Sequence, residues 1–114
     1  MLPLKNRLKK KKDFKKVFKE GKPFREDFLF LKTTENNLKE TRIGFIVSLK
    51  VSKKAFIRNR IKRRLRGAVK NTIENLEKGK DIVIIVRPEA RDKEFQEIES
   101  CIEGLFRKAK ILND

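Results

Sequence analysis

An α+β fold is predicted: a two-layer α/β sandwich in the order α-β-β-(β)-α-β-α, three helices against one mixed or antiparallel sheet. Apolar residues recur at three- and four-residue spacing in three segments, alternate strictly in one, and run unbroken in two more. At 114 residues the chain reads as one domain, 1–114, large enough for a single core but not for a two-domain enzyme.

Residues 1–12, MLPLKNRLKKKK, form a basic N-terminal arm ending in four consecutive lysines. Two readings stand for it: a strap along a phosphate backbone, or a disordered tail. Asp13 can cap a helix of about two turns that carries Phe14, Val17 and Phe18 on one side, with Gly21 closing it. Pro23 and Phe24 then lead into DFLFLK, where Phe28 through Leu31 make a strand-length apolar run.

TTENNLKE is polar and turn-like, and RIGFIVSLKV follows as the clearest strand. Ile43, Phe45, Val47, Leu49 and Val51 share one face; Gly44, Ile46, Ser48 and Lys50 share the other. The two strands read as an antiparallel pair, the second long enough to bend or divide.

A basic helix is expected from about Lys53 to Glu77, ending near Gly79. Ile57, Ile61, Leu65, Ala68, Val69, Ile73 and Leu76 form its apolar stripe. Asn59, Arg63, Arg66 and Lys70 point away, while Arg58 with Lys62, and Arg60 with Arg64, flank it. DIVIIVR, stopped by Pro88, is a strand covered on both sides, and Phe95 through Leu112 repeat as a terminal amphipathic helix.

Charge narrows the function. Residues 1–70 carry 24 basic and 6 acidic groups, residues 71–114 carry 8 and 10, and no acid occurs from Thr41 through Ile73. Like charges at helical spacing repel by about 0.2–0.5 kcal/mol per pair, so the basic helix calls for a polyanion. Arginine's planar fork bonds phosphate at two points and stacks on bases, which favours nucleic acid over a merely solvated basic face. The chain has no histidine and one cysteine, Cys101, which excludes an internal disulfide and removes the commonest general base and metal ligand. Ile98, Ile102 and Leu105 around Cys101 predict a buried, inert thiol. No apolar run approaches the roughly 20 residues of a membrane span, and no secretion signal is evident, so a cytoplasmic protein without a membrane partner is expected.

RIGFIVSLKVSKKAFIRNRIKRRLR, with DFKKVFKEG before it and KDIVIIVRPEA after it, resembles the protein subunit of bacterial ribonuclease P over nearly the whole chain. The resemblance implies an enzyme subunit that is inactive alone. A large partner RNA performs the Mg2+-dependent hydrolysis that frees the 5′ leader of precursor tRNA. It implies that Arg58, Asn59, Arg60, Lys62, Arg63, Arg64 and Arg66 bind the catalytic RNA. It also implies a cleft for the single-stranded leader at Phe14, Phe18, Ser48 and Lys50, and a left-handed β-α-β crossover at the basic helix. No metal site in the protein and no obligate protein partner are expected. Without the resemblance, core packing is the preferred reading of Phe14 and Phe18.

Two positions depart from the pattern. Leu49 stands where the family usually has lysine, and either Phe30 or Leu31 could fill the aromatic position of the first strand. The alternatives are a ribosomal or other structural RNA-binding protein, a helix-turn-helix DNA binder and a surface-bound membrane helix.

Overall fold

The computed structural model describes residues 2–112. The remaining ends of the expected domain and arm, residues 1 and 113–114, lie outside that range. Three helices, α1 (Lys11–Glu20), α2 (Ala55–Lys70) and α3 (Phe95–Lys108), accompany four strands: β1 (Lys22–Glu26), β2 (Leu29–Glu35), β3 (Arg42–Ile46) and β4 (Lys80–Val86). The sheet order is β1-β2-β4-β3. The first two neighbouring pairs are antiparallel, while β3 and β4 are parallel and joined through α2.

Strand register sorts the side chains by face, because directly opposed residues point the same way. Leu31, Ile84 and Phe45 stand in one row, with Thr33, Ile82 and Ile43 in the next. These rows meet Ile61 and Leu65 of α2 and Ile98, Ile102 and Phe106 of α3 in the main core. The reverse face presents Lys32, Val83 and Gly44, then Phe30, Ile85 and Ile46. There α1 docks, and its Val17 is fully buried in a small cluster with Val83 and Leu8. Sheet, α2 and α3 make the expected sandwich; α1 lies across part of the other face. Ile82, Val83 and Ile84 of β4 are buried on alternate faces, which explains the unbroken apolar run.

Four expectations are corrected. Lys22–Glu26 is a strand of its own, turning back at Asp27 with φ +51°, so the extra strand comes before the apolar run and not from a divided RIGFIVSLKV. The strands on either side of TTENNLKE do not pair. The two-sided apolar β4 takes the interior position between them, and β2 extends to Glu35.

β3 ends at Ile46, because Val47 and Val51 are both buried across a turn that holds Ser48, Leu49 and Lys50 outside, with the Val51 amide donating to Ser48 O at 3.1 Å. Leu49 is therefore exposed and not on the Phe45 face. Finally, α2 stops at Lys70. The Thr72 amide and hydroxyl both donate to Val69 O, at 2.9 and 3.1 Å, and Ile73–Asn75 form only a 3-10 turn. Gly79, at φ +79°, turns the chain into β4 and does not cap α2.

The first residues of the expected arm are docked. Leu2 is buried in the main core, Asn6 Nδ2 donates to Thr41 O at 2.9 Å, and the Leu8 amide donates to Ile43 O at 2.9 Å. Arg7 bridges Ile43 in parallel, so this segment covers the free edge of β3. Lys11 and Lys12 belong to the first turn of α1.

Candidate nucleic-acid interface

The structure divides the seven basic-helix candidates into four groups. Asn59 and Arg63 are exposed on the outward face of α2. Arg58 and Arg64 are partly tied down, Arg58 Nη1 donating to Ser52 O and Arg64 Nη1 to Lys93 O, each at 2.9 Å. Both side chains are partly exposed, and a guanidinium has further donors beyond the one used here. Lys62 and Arg66 line a hollow of about 200 Å3 that also takes in Phe14, Arg7 and Lys9. Arg60 is half-buried, and its Nε has no hydrogen-bond partner among the described residues. No cation of α2 has a carboxylate within ion-pairing distance among the described residues. Their charge is left for an external anion.

The reverse sheet face supplies a second element. Phe14 lies across Gly44, where a Cβ would stand 2.4 Å from the ring, so glycine lets α1 approach β3 this closely. Phe18, one turn on, is 37% exposed. Lys32 Nζ sits 5.8 Å from the Phe18 ring centroid and donates to Phe18 O at 2.9 Å. Beyond α1 the row Arg25, Phe30, Ile85, Ile46 crosses all four strands, its last three side chains only half-buried. This partly exposed, mainly apolar strip beside α1 forms a shallow trough with Arg25 at its β1 end.

The register settles the first-strand ambiguity: Phe30 is on the trough face, and Leu31 is fully buried on the opposite one. Ser48 and Lys50 lie in the exposed turn just past Ile46, where the Ser48 hydroxyl accepts from the Lys50 amide at 3.3 Å. Phe14 and Lys50 line different hollows, Lys50 that at the start of α2. Lys32, Ile46 and Ile85 were not among the sequence candidates. Period-two spacing from Phe30 would have pointed to Lys32, but the other two require the register.

Chemistry by the protein itself is poorly supplied. Among the described residues no group of three or more potential metal ligands converges. Cys101 is buried, its thiol donates to Glu26 O at 3.1 Å, and loss of hydration pushes its pKa up to about 11. The fold and this surface define the class of an α+β RNA-binding protein.

A family model described as Ribonuclease P matches residues 2–110. The ribonuclease P protein component of a Pseudanabaena species is 40% identical over 114 residues, covering 99% of this chain and 98% of that one. The Clostridium botulinum protein component is 38% identical, over 95% and 97% of the two chains. Among solved structures, the Staphylococcus aureus RNase P protein superposes with a TM-score of 0.87 at 31% identity, covering 95% of this chain and 98% of that one. The Thermotoga maritima protein gives 0.81 at 28% identity, over 90% and 96%. The chain belongs to the ribonuclease P protein family, the protein components of the endoribonuclease that matures the 5′ end of tRNA. Its partner in that ribonucleoprotein is ribonuclease P RNA.

Proposed function

We propose that the chain binds the catalytic RNA along α2 and the single-stranded leader of precursor tRNA along the trough beside α1. It thereby helps the RNA remove the leader. The observation that carries this reading is the coexistence of two unlike surfaces. The α2 face offers cations without acids, suited to folded RNA and its phosphates. The α1 face offers Phe18 and Phe30 with Lys32 between them on the sheet side, suited to bases that vary in sequence, since stacking is worth about 1–3 kcal/mol per base whatever the base. Ser48 and Lys50 extend that surface past the end of β3, and Phe14 packs in the same small cluster as Ile46 and Ile85.

Hydrolysis belongs to the RNA, with Mg2+ bound there, so the protein alone is inactive. On this reading the chain works in the cytoplasm beside its substrate.

The test is competition between precursor and mature tRNA for the complex reconstituted with a bacterial ribonuclease P RNA. Phe18→Ala weakens precursor binding by about 1–3 kcal/mol and leaves mature tRNA binding unchanged. Arg63→Ala weakens affinity for the RNA subunit instead. Equal losses on every ligand from both variants would reduce the two surfaces to one generic basic patch, as in a structural RNA-binding protein.

A further inference from the structure

Leu49 and Phe56, each 65% exposed, are the most exposed large apolar side chains among the described residues. Single exposed apolar residues need no explanation, but these two flank the same basic segment. Leu49 lines a hollow of about 560 Å3 with Lys50, Lys53, Lys54 and Arg91, and no carboxylate lines it. Lys54 Nζ stands 5.9 Å from the Phe56 ring centroid. Helical spacing puts Phe56 at the head of the outward face that continues through Asn59, Arg63 and Lys70, all exposed.

We propose that the exposed Phe56 ring, with Lys54 beside it and joined through Lys54 to the cationic hollow that Leu49 lines, is a stacking platform for an unpaired base of the catalytic RNA. An aromatic face between cations is the recurring arrangement for single-stranded nucleotides, with the ring taking the base and the lysines the adjoining phosphates. Charge complementarity favours a polyanion over an apolar protein segment. Continuity with Asn59 and Arg63 favours the RNA assigned to α2 over the leader, whose trough lies on the α1 face. The inference rests on that assignment of α2.

The chain contains no Trp and no Tyr, so Phe56→Trp places a sole indole at this point. Titration with ribonuclease P RNA, followed by both indole emission and filter retention, is expected to quench the emission at the concentrations that bind. Phe56→Trp should bind at least as tightly as the parent chain. Phe56→Leu, apolar but unable to stack, should bind about five-fold or more weakly with an unchanged salt slope. Full retention of the RNA with unaltered emission would overturn the platform while leaving the α2 assignment standing. Quenching by precursor tRNA alone, or by phosphatidylserine vesicles, at lower concentrations than by the RNA subunit would overturn the choice of occupant. Failure of the parent chain to bind the RNA would remove the α2 assignment and the platform together.

Discussion

Arg42 joins three parts of the chain through one guanidinium. Its Nε and Nη2 donate to the two carboxylate oxygens of Asp81 at 2.9 and 2.7 Å, and its Nη1 stands 3.4 Å from Asp13 Oδ2 on α1. The hydrogen bond to Asp81 raises the guanidinium pKa against the opposing effect of burial, so the group stays charged at any pH at which the protein folds. Asp81 is 3% exposed, and Asn36 Nδ2 also donates to its Oδ1, at 2.9 Å. Arg42→Ala therefore leaves a buried charge undercompensated and should cost about 3–5 kcal/mol in denaturant unfolding, far more than loss of an exposed α2 arginine. From the sequence, Asp13 reads as a helix cap and Asp81 as a strand opener, because a contact between residues 39 apart has no local signature.

Cys101 was legible, since Ile98, Ile102 and Leu105 surround it on the helix. Its pKa is raised from 9.0 to about 11, so the neutral thiol is favoured in the folded state. The corresponding stability is fully present below about pH 9 and is lost as pH rises through about 11. Alkylation of the native protein at pH 8 should be much slower than that of the urea-unfolded chain, and equal rates would contradict the burial.

Gly44 decides how α1 meets the sheet. A Cβ there would stand 2.4 and 2.6 Å from two Phe14 ring atoms, so Gly44→Ala must displace that ring from β3. We expect a loss of about 1–3 kcal/mol in stability, as for other overpacked sites, and weaker binding of precursor tRNA with the affinity of α2 for the RNA subunit retained. A Gly44→Ala chain with parental precursor affinity would separate the leader from α1.

Each helix and the existence of β2, β3 and β4 were legible from apolar periodicity. The pairing was not: hydrophobic runs say which strands are covered but not which neighbour each will take, and β4 arrives latest in the chain yet pairs between β2 and β3. β1 escaped because Lys22–Glu26 is a mostly exposed edge strand with little apolar pattern. Phe18 was singled out from its place on the short helix and its side chain is partly exposed, whereas Ile46 and Ile85 belong to two strands brought together only by the register.

Across the whole molecule charge is divided by sequence and by surface. The surplus lies in residues 1–70, on the arm, α1 and α2, while Glu94 just before α3 and Glu97 within it are exposed and residues 71–114 carry a slight acidic excess. RNA should approach from the α1 and α2 sides, and binding should weaken steeply with added salt as condensed counterions cease to be released. The most direct test is a Mg2+ titration of precursor cleavage by a bacterial ribonuclease P RNA, with and without this chain. The expected result is that the chain lowers the Mg2+ needed for cleavage at the mature 5′ end and cuts nothing by itself. Cleavage by the chain alone, or a Mg2+ requirement that the chain does not alter, would contradict the account.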